Sequence, residues 1–173
     1  MNWLHGFDQG TPTYIPNVKT FCCPSTRNAV DPGKKYQTLY NGAVITKLTD
    51  LDNKASSNQA TNGHSYEVFG CWHNGPTFTR KTTRNISGHR HEKGDLAGQV
   101  TGPSDTFIII DVMEPHSAQG WPWENWPNPY DGHGVDGGNV AFADGHSEWI
   151  GKKRWNLRYE TSEDSGRQIT PFN

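Results

Sequence analysis

"HGVDGGNVAFADGHSEW", His133 to Trp149, decides how the chain is read. Asp136, Asp144 and Glu148 supply carboxylates and His133 and His146 supply imidazoles. Gly134, Gly137, Gly138 and Gly145 give the backbone freedom around a strand-like "NVAFA". Three architectures fit such a run: a metal-dependent active site, a structural metal loop, or a tight hairpin with polar ends. Asp144-Gly145 between apolar-alternating flanks signals a two-residue type I′ turn, which sets Ala143 opposite His146, Phe142 opposite Ser147 and Val140 opposite Trp149. Val140, Phe142 and Trp149 then share one face. The hairpin leaves unexplained the crowded segment before it, "YDGHGVDGGN", where Asp131, His133, Asp136 and Asn139 stand among glycines.

Outward from this stretch, "DTFIIIDV" (105–112) is apolar enough for a central strand buried on both faces, and it delivers Asp111 and Glu114 to one end of a sheet. "YQTLYNGAVITKL" around Asn41-Gly42 reads as a hairpin, and "SYEVFGCWHNG" (65–75) as a strand running into a second Asn-Gly turn. "GKKRWNLRYE" reads as a final strand or one helical turn, followed by a polar, flexible tail over 160–173. The "QGWPWENWPNPYDGHG" segment is too rich in Pro and Gly to be regular. It is a long loop carrying Trp121, Trp123 and Trp126, and long loops within a compact domain are usually functional or pinned.

The length of 173 residues suits one domain with a real core, expected to span 1–173. Hydrophobic residues are only 32% of the chain but aromatics are 12%, so buried area must come from bulky rings; with 19 Gly and 11 Pro this favours a loop-rich, mainly β, α+β fold over a helical bundle. A net charge of -2 with scattered Lys and Arg lacks the basic stripe that a phosphate backbone requires, which excludes nucleic acid as a partner. No stretch approaches the roughly 20 apolar residues of a membrane span. Cys22 and Cys23 are adjacent, and a bond between neighbours is strained. Either one of them bridges to Cys71 in an oxidising compartment, or all three are buried thiols.

"HGVDGGNVAFADGH" resembles the C-terminal signature of the prepilin-type processing-associated H-X9-DG family of pseudopilin-like proteins. The match runs through His133, Gly137, Gly138, Asn139, Phe142, Asp144, Gly145 and His146. "FCCPS" (21–25) resembles that family's Cys-Pro-Ser segment, and "GPSDTFIIID" (102–111) its Pro-Ser-x-Thr strand ending in aspartate. The chain departs from the pattern in having ten residues, not nine, between His133 and Asp144. The resemblance implies a type IV pilin-like globular head, here without the family's N-terminal apolar helix. It further implies a non-catalytic structural role as a pseudopilin-like subunit of a type II secretion or pilus-like filament. The partners implied are other filament subunits, and the location extracellular or periplasmic, with a membrane anchor before assembly where the full-length helix exists.

Calcium is the expected cofactor, in a structural role. Asp131, Asp136, Asn139 and Asp144, with glycine-exposed carbonyls, offer the oxygens that hard cation takes, and secretion pseudopilins hold calcium in C-terminal loops. The spacing is not that of an EF-hand, since Val135 and Phe142 occupy positions where that loop needs oxygen donors. Two alternatives come from other classes. Trp121, Trp123 and Trp126, stiffened by Pro122 and Pro127, would bind polysaccharide as stacking platforms. "HRHEKGD" offers His89, His91 and Asp95 to a zinc hydrolase, with His116, His133 or His146 as further ligands, although its polar surroundings suggest solvent-facing histidines. No Gly-x-Ser-x-Gly, Walker or dinucleotide motif is present. Asp111 and Glu114 read as loop anchors before a glycosidase pair.

Overall fold

The structure is a computed structural model that describes residues 1–7, 13–55, 62–73, 78–113 and 125–169. After a single turn of helix α1 (Asn2–His5), strands β1 (Lys35–Tyr40) and β2 (Ala43–Leu48) form the first hairpin, paired from Lys35↔Leu48 to Tyr40↔Ala43. Asn41 and Gly42 turn it at φ 49° and 80°, the two positive values a type I′ turn demands. A satellite cluster of Phe21, Val30, Leu48 and Leu51 anchors this hairpin to the N-terminal segment.

Among the described residues six further short strands precede the last hairpin: β3 (Tyr66–Val68), β4 (Cys71–Trp72), β5 (Thr79–Arg80), β6 (His89–Arg90), β7 (Val100–Thr101) and β8 (Phe107–Asp111). Strands β4 and β5 form one two-stranded ribbon and β6 and β7 another, which organise the basic stretch that has no clear sequence pattern. Strands β9 (Gly137–Phe142) and β10 (Ser147–Gly151) complete an antiparallel sheet in the order β10-β9-β8-β3. The apolar run of β8 is internal to this sheet, as its composition requires. The fold is mainly antiparallel β with few helices, the α+β class expected.

The last hairpin corrects the sequence reading in one respect. Glu148 pairs with Val140 and Trp149 with Asn139, a register one residue from that expected. Phe142 N donates to His146 O, Gly145 N donates to Phe142 O, and only Gly145 has positive φ (96°). The loop is therefore the three-residue form, a type I turn closed by a left-handed glycine, and Asp-Gly is compatible with either form. A one-residue slip exchanges faces. Ile150, not Trp149, joins Val140 and Phe142 in the core, and Trp149 is exposed.

Helix α2 (Lys152–Glu163) follows, twelve residues where a strand or one turn was expected. Trp155 and Tyr159, four apart and so on one helical face, seal the sheet with Phe69, Phe107, Ile110, Met113, Trp126, Val140, Phe142 and Ile150. Each such aromatic contributes roughly 4–6 kcal/mol of gross burial before conformational entropy is set against it. The residues read as the start of a flexible tail instead finish and cap this helix. Glu160 accepts from Ser165 Oγ, Gly166 N and Arg167 N, and Glu163 pairs with Lys81 Nζ at 2.9 Å and His73 Nδ1 at 2.6 Å. Asp164 caps the end in the left-handed conformation, and all three carboxylates are buried.

Candidate functional site

Residues far apart in the chain meet at the end of the sheet. Asp111 is the last residue of β8, Cys23 follows the 3-10 turn Val18–Phe21, and His133 lies in the loop leading into β9. Asp111 Oδ2 accepts from Asn139 N (2.7 Å) and Asn139 Nδ2 (3.0 Å), and faces His133 Nε2 at 3.1 Å. The same imidazole nitrogen is 3.2 Å from Cys23 Sγ, and Trp149 meets the His133 ring edge-on with centroids 5.1 Å apart. The register found for the hairpin makes this possible, because Asn139 and Trp149 share the face turned toward His133.

Burial controls the chemistry of the corner. It raises the Cys23 thiol above its ordinary range, so at neutral pH the sulfur is a protonated thiol rather than a poised nucleophile. Burial also raises the Asp111 carboxyl, opposed by the Asn139 backbone bond and by His133. Asp111 Oδ1 is buried without a hydrogen-bond partner among the described residues and lies beside a cavity of about 10 Å3 lined by Thr26, Ser65, Asp131 and His133, among others. That volume is about what one water occupies. Sulfur, nitrogen and oxygen donors within 4.8 Å of one another are also a set that zinc accepts, but each of the three donor atoms here has a partner: His133 Nε2 faces Asp111 Oδ2 and Cys23 Sγ, and Asp111 Oδ2 accepts from Asn139.

The glycines of the motif are required by close approach. A Cβ on Gly137, at φ 144°, would stand 2.0 Å from Ile150 O, and one on Gly138 would stand 2.4 Å from Met113 Cε and 3.4 Å from Trp155. These contacts let β9 lie flush against β10 and the core, which in turn fixes Asn139 against Asp111.

The residues expected to hold calcium have different surroundings. Asp131 is buried and its Oδ2 accepts from Asn128 N (3.0 Å); the Asp136 carbonyl accepts from Lys152 N; Asn139 serves Asp111. Asp144 sits in the exposed turn and accepts from His146 N (3.1 Å) and Nδ1 (2.6 Å), which lower its carboxyl. The oxygens of Asp131, Asp136 and Asp144 do not fall within 4.8 Å of one another. Gly145 supplies the left-handed turn position.

Of the tryptophan loop, Trp126 is buried in the main core and is no outward platform, while Trp121 and Trp123 lie outside the described residues, as do Glu114, His116 and the Asn74-Gly75 turn. No bridge joins Cys22 or Cys23 to Cys71; all three are free thiols, and Cys23 is turned to His133 instead. His89 and His91 are buried rather than solvent-facing. Their carboxylate neighbour is Asp164, whereas Asp95 Oδ2 accepts from Ile169 N. Sequence spacing offers no signal for Asp164, which stands more than 70 positions from either histidine. Nor does spacing alone bring Cys23 to His133. No family model, curated protein or solved structure matches the chain.

Proposed function

We propose that this chain is the globular head of a type IV pilin-like protein and serves as a non-catalytic structural subunit of a type II secretion-like filament, outside the cytoplasm. One observation carries the reading. The three segments that resemble the H-X9-DG family, "FCCPS", "GPSDTFIIID" and "HGVDGGNVAFADGH", converge on a single corner through Cys23, Asp111, His133 and Asn139. Segments that are remote in sequence and meet through side chains act as one structural unit.

The chemistry of that corner favours pinning over turnover. Its thiol is held protonated, its carboxylate is tied to a backbone N–H, and the adjacent cavity has room for one water. The β1–β2 ribbon supplies a surface suited to repeated subunit contact: Leu39 and Val44 are cross-strand partners and are 72% and 49% exposed, with Tyr40 beside them. Other pilin-like subunits are the proposed partners.

Purified protein assayed against polysaccharides, peptides, carboxylic esters and phosphate esters is expected to show no turnover. Turnover that disappears in a folded His133→Ala variant would overturn the reading.

A further inference from the structure

His89 in strand β6 and His91 just after it stand two residues apart in extended chain, so both rings project from one face while Arg90 turns outward and donates to Gly98 O. The His89 ring lies flat on the buried Trp72 indole (centroids 4.1 Å, 12° between planes), and His91 meets His89 edge-on at 5.1 Å. From the opposite side comes Asp164, the left-handed cap of α2. Its Oδ2 is 3.1 Å from His89 Nε2 and its Oδ1 is 3.5 Å from His91 Nδ1. All three side chains are buried, and their donor atoms lie within 4.8 Å of one another.

A purely structural role explains part of this. Asp164 accepts the backbone N–H groups of Glu92 and Lys93 and the His89 ring, and so ties that loop to the end of α2. It does not explain His91, which is 2% exposed and whose two ring nitrogens both lack a hydrogen-bond partner among the described residues. Burying an unsatisfied polar group is costly. The nearby ammonium groups are committed elsewhere, Lys93 to His73 O and Lys81 to Glu163.

We propose that His89, His91 and Asp164 bind one divalent transition metal ion of the zinc class. Two imidazole nitrogens and one carboxylate oxygen, each about 2.0–2.2 Å from a tetrahedral centre, would sit about 3.3–3.5 Å apart; here His89 and His91 each face a different oxygen of Asp164, at 3.1 and 3.5 Å, and one donor atom from each residue lies within 4.8 Å of the other two. Two nitrogen donors select against calcium, which takes six to eight oxygens. The backbone N–H groups of Glu92 and Lys93 on Asp164 orient the ligand from outside, as the surroundings of metal-bound carboxylates do. With the His89 ring stacked on Trp72, three protein ligands leave the fourth tetrahedral position to a water, and the ion would staple β6 to the end of α2.

Metal analysis decides the matter. Untagged protein purified from zinc-replete medium without chelator is expected to hold one zinc per chain. The cobalt-substituted form is expected to show tetrahedral d–d absorption with no sulfur-to-cobalt charge-transfer band. Metal-free protein should gain about 5–10 °C in Tm when zinc stands about a hundredfold above its Kd. His91→Leu should lose both the ion and this gain, while Asp95→Asn keeps them. Wild-type protein with metal far below one equivalent and no Tm response overturns the proposal, whether or not the variant folds. A cobalt spectrum with a sulfur band, which would move the ion to Cys23, Asp111 and His133, overturns it equally.

Discussion

Cys23 Sγ stands 3.2 Å from His133 Nε2 across 110 positions of chain, and the contact joins the N-terminal cluster to the loop that launches the last hairpin. Because the same nitrogen faces Asp111, removing the ring strips a partner from a buried carboxylate and a buried thiol together. His133→Ala is expected to cost about 1–3 kcal/mol in urea unfolding. His146→Ala, at the exposed turn of the same motif, should cost under about 1 kcal/mol. Equal effects would show that the corner contributes nothing of its own.

Two of the positive-φ glycines of the motif, Gly137 and Gly145, should separate sharply. At Gly137 a Cβ collides with backbone at 2.0 Å, so Gly137→Ala is expected to lose on the order of 3–5 kcal/mol and to disrupt the β9–β10 pairing. At Gly145 nothing lies within 4 Å and only φ 96° is at stake, so Gly145→Ala should lose about 1–2 kcal/mol. Thermal melts of the two variants measure this directly.

His64 should make the protein acid-sensitive. Burial, reinforced by the N-terminal ammonium, pushes its pKa down to about 4 from an ordinary 6.5. The folded state therefore resists a proton that the unfolded chain binds. This contribution is complete above pH 6.5 and is lost as pH falls through that value toward 4, a change of roughly 3 kcal/mol. Urea midpoints between pH 4 and 7 should fall more steeply for wild type than for His64→Leu; parallel profiles would contradict the assignment.

All three cysteines should be titratable as thiols in denatured, unreduced protein. In the native state Cys23 should react slowest, being buried with a thiol raised by that burial. A mass deficit of two hydrogens in the intact chain would reveal a disulfide and contradict the structure.

What could be read from sequence was local. Asn41-Gly42 specifies its hairpin through backbone conformation alone, and the apolar run of β8 specifies a buried strand. Asp144-Gly145 marks its turn but not the turn length, because aspartate fits a type I turn as readily as a type I′ turn, and that ambiguity moved Trp149 to the wrong face. Helix α2 was hidden because its buried face includes Glu160, Glu163 and Asn156, which look solvent-facing until their partners are known. The sites depend on distance in the fold rather than spacing in the chain. His89 and His91 were visible, but Trp72 that shields them and Asp164 that meets them were not. Likewise the resemblance singled out Cys23, Asp111 and His133 as separate segments, and only the fold placed them in contact.

Filaments sheared from cells that produce the full protein, pelleted and probed for this chain, test the structural-subunit proposal most directly. The chain is expected in the pellet with the filaments, and His133→Ala is expected to reduce its share there. Filaments that pellet while every copy of the chain stays in the supernatant would contradict the account.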